Sequence, residues 1–217
     1  MARRNLKHFD QMAQMKHVFD HKVHHTQKPI DWQAVFANQN PIVVELGCGH
    51  GSYTLALAQQ NAHKNYIGID LKGARMWHGA TAAHDKKLAN VAFLRTHILE
   101  ISRFFEPNAV DEIWLTFPDP QPATANEKKR LTSNQFINLY KKIVKKNALI
   151  HLKTDDKDLF HFSEQSFEDN KLSVIEKSKD IYTEKLDQRL TELQIKTTFE
   201  HKWLAQNKPI HYIKACI

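Results

Sequence analysis

The sequence predicts one α/β domain built on a doubly wound, mostly parallel sheet. From residue 42 onward, short apolar runs alternate with amphipathic stretches of helical length, and a glycine-rich turn follows the first run. A chain of 217 residues has room for one domain with a sizeable core, but not for two enzyme domains and a linker.

The alternation predicts seven strands and five helices. The strands are expected over residues 42–46, 66–70, 91–94, 112–116, 149–153, 172–176 and 211–215. The helices are expected over residues 52–60, 74–87, 134–145, 157–169 and 199–204. We expect the last two strands to form a hairpin, so that an antiparallel carboxyl-terminal strand closes the sheet. Ligands of such a sheet bind at the carboxyl ends of its strands.

The composition is ordinary for a globular protein, with an excess of positive charge. Apolar residues make up 41% of the chain, and the net charge is +7. Such a charge favours a polyanionic partner, although charge alone is weak evidence. No apolar run approaches the roughly 18 to 20 residues of a membrane span, and the polar first residues do not resemble a secretion signal. We expect a cytoplasmic protein with no membrane association and with Cys48 and Cys216 reduced and non-catalytic.

Residues 1–40 differ from the rest of the chain, because they are basic, rich in histidine and only weakly periodic. They are expected to form a basic amino-terminal arm beside a catalytic domain over residues 41–217. Basic residues of the arm cluster at Arg3, Arg4 and Lys7 and at Lys22, His24, His25 and Lys28. The histidines of residues 21–25 do not have the spacing of a metal site, so no metal is expected.

The strongest local signal is the glycine loop of residues 44–51, VELGCGHG, between a predicted buried strand and a predicted helix. Gly47, Gly49 and Gly51 allow positive φ and let the backbone approach a ligand closely. Their spacing is GxGxG, whereas nicotinamide dinucleotides favour GxGxxG, and Ser52 stands where that pattern has its third glycine. The spacing therefore argues against a nicotinamide oxidoreductase.

Two acids accompany the glycine loop. Glu45 precedes it, and a carboxylate there disfavours a pyrophosphate but suits a cationic ligand. Asp70 ends the second predicted strand, where its carboxylate can accept both hydroxyl protons of a ribose. Together they indicate S-adenosylmethionine, which carries an ammonium, a sulfonium and a ribose. The alternative is a glycine-rich turn beside a surface acid.

The fourth predicted strand runs into residues 117–120, FPDP. The prolines end the strand and fix the loop, which places Asp119 over the crevice that the glycine loop lines. Phe117 or Trp114 would supply a face on which a base stacks. The alternative is a plain turn, because Pro and Asp are common turn residues.

Seven motifs in this order resemble those of the bacterial tRNA (guanine-N7-)-methyltransferases, which have a Rossmann-like methyltransferase sheet. The resemblance runs from about residue 41 to the carboxyl terminus. The motifs are VELGCG (44–49), IGID with KGARMW (67–77), NVAFLR (90–95), FPDP (117–120), KKRLT (128–132), HLKTD (151–155) and TTFE (197–200).

The resemblance implies methyl transfer from S-adenosylmethionine to N7 of a guanosine in tRNA, at position 46 of the variable loop. It implies that Asp119 is the active-site acid, the residue assigned the catalytic role. The cofactor-binding residues would be Glu45, Gly47, Gly49, Gly51, Asp70 and His97. The residues that meet the substrate guanosine would be Asp155, Thr197, Thr198, Phe199 and Glu200. The tRNA-contacting segment would be Lys128, Lys129 and Arg130, which suit phosphate contacts; the alternative for that segment is a solvated loop.

This reaction makes few demands, because N7 of guanine has a free lone pair and carries no proton. It needs a near-attack geometry and an acceptor for the N1 and N2 hydrogens of the base. Asp119 is the candidate for that acceptor, and its charge would favour the positive charge that develops on the ring.

The sequence departs from the family pattern at two places. His97 stands where the family usually has an Asp at the adenine end of the cofactor, and it can still donate or accept one hydrogen bond. Ala123 occupies a substrate-binding position where a Lys is usual, and Gln121 replaces a frequent Trp. Lys128 is a candidate to replace the missing Lys.

Two other functions stay open for this sequence. A small-molecule methyltransferase predicts no salt-sensitive tRNA binding, and the basic arm and residues 128–130 speak against it. An RNA-binding homologue without activity, suggested by His97 and Ala123, predicts tRNA binding without methyl transfer. The sequence does not distinguish a monomer from a homodimer.

Overall fold

A computed structural model describes residues 2–22, 28–184 and 191–217. The described strands are β1 Val18–Asp20, β2 Ile42–Leu46, β3 Asn65–Asp70, β4 Val91–Arg95, β5 Val110–Thr116, β6 Val144–Thr154, β7 Ser173–Ser178 and β8 His211–Cys216. The described α-helices are α1 Ala2–Ala13, α2 Trp32–Phe36, α3 Ser52–Gln60, α4 Gly73–Asp85, α5 Asn134–Tyr140, α6 Lys157–Asp169 and α7 Thr198–Leu204.

The described strands form one sheet in the order β1-β4-β3-β2-β5-β6-β8-β7. Every pairing from β1 to β6 is parallel, and β8 is antiparallel to both of its neighbours. The fold class is therefore confirmed: the sheet is mostly parallel with an antiparallel carboxyl-terminal strand. The order reverses between β2 and β5, which is where ligands of such sheets bind.

Helices cover both faces of the sheet, because successive strand residues point to opposite sides. On one face, Val43 and Tyr66 pack against α3 and α4. On the other face, Val44 and Ile67 belong to a second core that includes side chains of α2, α5 and α6. These two cores fix the ends of β2 and β3 rigidly, which matters because the glycine loop and Asp70 follow them.

The predicted elements agree with the structure except at their ends. The helices over 52–60 and 157–169 begin and end as predicted. The helix predicted over 134–145 is too long, because α5 ends at Tyr140 and residue 144 already belongs to β6. The reason is tertiary: Val144 pairs with Val110 of β5, so the strand takes this residue.

Part of residues 1–40 packs against the domain. Strand β1 extends the sheet beside β4, and the buried Trp32 donates from Nε1 to the carbonyl of Phe104 at 2.9 Å. In α1, the His8 ring stacks on Trp77 of α4 with 4.0 Å between centroids. His24, His25 and the side chains of Arg3, Arg4 and Lys7 lie outside the described residues. The division at residue 40 and a tRNA-binding role of the arm stay predictions.

Among the described helices, none combines the length and the hydropathy that crossing a membrane requires.

Candidate active site

A cleft of about 1220 Å³ opens at the carboxyl ends of the central parallel strands. Its walls come from the loops after β2, β3, β4 and β5 and from the segment that begins α7. The predicted residues that line it are Glu45, Gly47, Gly49, Asp70, His97, Asp119, Lys128, Lys129, Thr197, Thr198 and Phe199.

The glycine loop lies at the centre of the cleft. All three glycines have positive φ, and the amides of Gly47 and Cys48 donate to the carbonyl of Ile69 at 2.8 and 3.1 Å. These bonds tie the loop to the end of β3. Gly51 does not line the cleft: a Cβ there would lie 2.5 Å from the ring of Phe93, so this glycine allows close packing of the loop on β4.

Glu45 is almost fully buried beneath the loop. One carboxylate oxygen accepts from the hydroxyl of Thr54, and the other accepts from the hydroxyl of Thr116. Burial raises the pKa of Glu45 to about 7, although the two hydroxyl bonds oppose that rise. Both of these described partners are neutral hydroxyl groups, so the carboxylate suits a cationic ligand.

Asp70 stands beside the loop with each of its carboxylate oxygens already holding one backbone amide. Oδ2 accepts from Gly49 N at 2.9 Å, and Oδ1 accepts from Lys72 N at 2.7 Å. Since each oxygen has a second acceptor site, the carboxylate remains able to bind two hydroxyl groups.

His97 lies at the far end of the cleft, ahead of a 3₁₀ helix over Ile98–Arg103. Its Nδ1 accepts from the amide of Leu99 at 3.2 Å, which assigns the ring proton to Nε2. His97 can therefore donate a hydrogen bond to a ligand from Nε2, whereas an Asp carboxylate at this position would accept one. Leu71 and Leu99 are exposed apolar side chains that line this end, and they offer two faces for a flat ring.

The loop after β5 places Asp119 at the cleft. Phe117 has a positive φ of 48°, and its amide donates to the carbonyl of Lys153 at 2.8 Å. Asp119 is exposed, and its Oδ1 accepts from Gln121 N at 3.0 Å.

The prediction of Trp114 as a stacking face is wrong: this ring is buried and stacks on His151 with 4.1 Å between centroids. Phe117 lines the cleft and keeps that candidate role.

Arg130 differs from its two predicted partners in the basic segment. Lys128 and Lys129 are exposed at the rim, but Arg130 is only 5% exposed. Its guanidinium donates to the carbonyls of Pro120 and Gln121 and lies over the ring of Phe162. These bonds show that Arg130 holds the Asp119 loop, and its contact with phosphate stays a prediction.

Three more predicted substrate residues do not line the cleft. Glu200 is fully buried and forms an ion pair with Lys153 at 2.8 Å. Asp155 lies 3.8 Å from Lys208, and burial raises its pKa. Glu200 is thus a buried partner of Lys153 in this structure, and its contact with guanosine stays a prediction. Ala123 is exposed at the start of a 3₁₀ turn and also does not line the cleft.

The cleft has an acidic floor and a basic rim. Glu45, Asp70 and Asp119 supply the acids, and the exposed cations stand on two sides, at Lys72 and Arg75 and at Lys128 and Lys129. This arrangement suits a cationic ligand beneath a polyanionic one.

Cys48 is buried, and burial raises its thiol pKa, so it is not a nucleophile. Among the described residues, no three His, Cys, Asp or Glu side chains are grouped so that they could hold a metal ion.

Sequence reasoning missed several residues of the cleft. Thr54 and Thr116 bind Glu45 from α3 and from β5, and nothing local in the sequence marks them. Leu71 and Leu99 are exposed and closely follow Asp70 and His97. The signal that the sequence offered for them was an apolar residue shortly after a predicted strand.

Comparison with known proteins gives the family. The chain matches a family described as putative methyltransferases over residues 39–213. It is 43% identical to the tRNA (guanine-N(7)-)-methyltransferase of Bacteroides fragilis over 99% of this chain and 86% of that protein. It is 35% identical to the protein of that name from Cytophaga hutchinsonii, over 99% and 97% of the two chains.

A solved structure agrees in fold. The crystal structure of the 16S rRNA methyltransferase KamB superposes with a TM-score of 0.65, covering 88% of this chain and 95% of that one at 12% identity. At this identity the likeness concerns the fold alone. The sequence identities above, over nearly the whole length, show that the chain belongs to the tRNA (guanine-N(7)-)-methyltransferase family.

Proposed function

We propose that this protein transfers a methyl group from S-adenosylmethionine to N7 of a guanosine in tRNA. Family membership supports the reaction, and one observation in the structure supports its location. Glu45, Asp70 and Asp119 come from three different strand ends and line one cleft with a basic rim.

The residues of the cleft fit S-adenosylmethionine. Glu45 would bind the ammonium group, Asp70 the ribose hydroxyls, and His97 would donate to a ring nitrogen of adenine between Leu71 and Leu99. When bound, the cofactor supplies the methyl group and leaves as S-adenosylhomocysteine. Gly47 and Gly49 allow this close approach because they carry no side chain of their own on the cleft side of the loop.

Asp119 is the proposed grip on the guanine. Its carboxylate accepts from N1–H and N2–H of the base, which turns the N7 edge toward the methyl group. No proton has to leave N7, so the carboxylate orients the base and stabilises the positive charge that forms on the ring. Phe117 and Phe199, both on the cleft, are the proposed stacking faces, and Phe199 is 55% exposed.

The exposed rim cations are the proposed contacts to the tRNA backbone. Lys128 and Lys129 lie beside the Asp119 loop, where they would hold phosphates without reading the sequence. We further propose guanosine 46 of the variable loop as the target and the cytoplasm as the location. Lys128 is proposed to take the role of the Lys that the family usually has at the position of Ala123.

The test uses tRNA transcripts that carry no modification. The protein and labelled S-adenosylmethionine are incubated with them, the RNA is digested, and the labelled nucleoside is identified and mapped to a position. Label in 7-methylguanosine at position 46 supports both parts of the proposal, and label at another guanosine refutes the position only. Binding of cofactor and tRNA without transfer would favour an RNA-binding homologue, whereas no salt-sensitive tRNA binding would favour a small-molecule methyltransferase.

A further inference from the structure

Lys153 is the one lysine of the described residues whose side chain is fully buried. It lies near the end of β6, beneath the segment that carries Thr197, Thr198 and Phe199 to the cleft. Its ammonium nitrogen does not line the cleft, so it does not contact the reacting atoms. A charge in such a position is costly unless it is paired and hydrogen-bonded.

Three acceptors surround the ammonium group of Lys153. Nζ donates to the carbonyl of Leu193 at 3.0 Å and to the carbonyl of Ile195 at 2.9 Å, and it lies 2.8 Å from Oε1 of Glu200. An ammonium group has three hydrogens, and this set satisfies all of them. Burial lowers the pKa of Lys153, and the charge of Glu200 opposes that shift.

Glu200 extends this connection to two further parts of the chain. Its Oε1 also accepts from the hydroxyl of Tyr182 at 2.5 Å, and its Oε2 accepts from the amide of Thr197 at 3.3 Å. The hydroxyl of Thr197 in turn accepts from the amide of Glu200, which completes a capping box at the start of α7. The pair therefore fixes where α7 begins relative to β6.

The backbone of Lys153 contacts the other substrate-facing segment. Its carbonyl accepts from the amide of Phe117, at the start of the Asp119 loop. Lys153 thus contacts the Asp119 loop through its backbone carbonyl. Through the ion pair of its side chain with Glu200, it also positions the Thr197–Phe199 edge. A shift of about 1 Å between these two edges would be enough to slow transfer severely.

We infer that Lys153 and Glu200 form a positioning pair for the substrate guanosine, an inference that rests on the proposed function. The pair sets the distance between the Thr197–Phe199 edge and the Asp119 loop. It does not affect the affinity for the cofactor. Glu200 therefore serves the substrate side indirectly, through the position of α7.

The test compares three variants, Lys153→Met, Glu200→Gln and the double variant. Lys153→Met leaves a buried carboxylate without its cation, so Tm should fall by roughly 10 °C. The double variant removes both charges and should regain about half of that loss. We expect kcat/KM for tRNA to fall about 10- to 100-fold in all three, while the Kd for S-adenosylhomocysteine stays within about threefold of wild type.

Amide hydrogen exchange gives a readout that does not depend on activity. In Lys153→Met, the amides of residues 191–204 should exchange about tenfold faster or more, under native conditions in which the amides of β2 and β5, which open only on global unfolding, stay protected throughout the measurement. Lys177→Met is the matched control, because Lys177 forms an exposed pair with Glu164 at 2.9 Å, and this variant should change none of these quantities.

The inference is overturned if activity recovers together with Tm in the double variant, since the pair would then serve stability only. It is equally overturned if exchange in residues 191–204 is unchanged in Lys153→Met. If the wild-type protein makes no 7-methylguanosine, the proposed function fails, and the exchange rates alone then decide whether the pair holds this segment.

Discussion

Replacing Glu45 by Gln should stabilise the ligand-free protein and weaken its cofactor binding at the same time. Burial raises the pKa of this carboxyl from 4.5 to about 7, so ionised Glu45 costs stability at pH 8. At about 1.36 kcal/mol per pKa unit, this cost is on the order of 3 kcal/mol. The amide is neutral and can still bond to both Thr54 and Thr116, because their hydroxyl groups rotate.

The sign of the pH dependence follows from the direction of the shift. A group whose pKa is raised on folding contributes stability that is full below pH 4.5 and is lost as the pH rises through about 7. The wild type should therefore lose stability relative to Glu45→Gln across this window. At pH 8 the variant should unfold at a Tm roughly 5 to 10 °C higher.

Cofactor affinity should change in the opposite direction. Because the ammonium group of the ligand pairs with ionised Glu45, Glu45→Gln should raise the Kd for S-adenosylhomocysteine about 10- to 100-fold at pH 8. In the wild type, the Kd should rise as the pH falls below about 7, and this dependence should be absent in the variant.

Glu112 offers a matched control within the same sheet. It is also buried, but bonds and charges of His151 and Lys64 outweigh its burial and lower its pKa to about 2. Its contribution to stability is present above pH 4.5 and lost as the pH falls through about 2, so Glu112→Gln should destabilise the protein at pH 8. Urea unfolding of both variants at several pH values measures these differences. A Glu45→Gln variant that is less stable than wild type at pH 8, or that binds S-adenosylhomocysteine equally well, would refute the reasoning.

Three further predictions concern the substrate side and the glycine loop. Asp119→Asn keeps an oxygen for the Gln121 amide but presents a donor to the base, so kcat/KM for tRNA should fall about 100-fold in steady-state assays while the Kd for S-adenosylhomocysteine stays within about twofold. Replacing Lys128 and Lys129 together by Ala should reduce the slope of log Kd for tRNA against log salt by about 2, and the exposed pair Lys86 and Lys87, near the start of β4, is the control that should leave it unchanged. Gly51→Ala should cost about 2 kcal/mol or more in urea unfolding, because its φ is 73° and the new methyl meets Phe93, and Phe93→Leu in the same chain should recover part of that loss.

The sequence alone was enough to predict the strand ends that carry the acids. Glu45, Asp70 and Asp119 each lie near the carboxyl end of an apolar run whose period and boundaries are strong local signals, and the sheet order brings such ends together. Here short-range patterns and the rules of α/β topology determine the site.

Sequence reasoning did not reveal the buried partners that long-range packing gives to three of the predicted residues. Trp114, Arg130 and Glu200 have the residue types of ligand-binding groups, but His151, the Pro120 carbonyl and Lys153 bind them inside the protein. These partners lie from 10 to 47 positions away in the sequence or on another strand, so no local pattern distinguishes a buried partner from a ligand.

The most direct test of the central claim replaces the acceptor atom itself. Two tRNAs are prepared that differ only at the mapped guanosine, where one carries 7-deazaguanosine, which keeps N1–H and N2–H but has carbon in place of N7. We expect both tRNAs to bind with similar Kd and only the guanosine tRNA to gain a labelled methyl group. Label at that position in the 7-deazaguanosine tRNA would contradict transfer to N7.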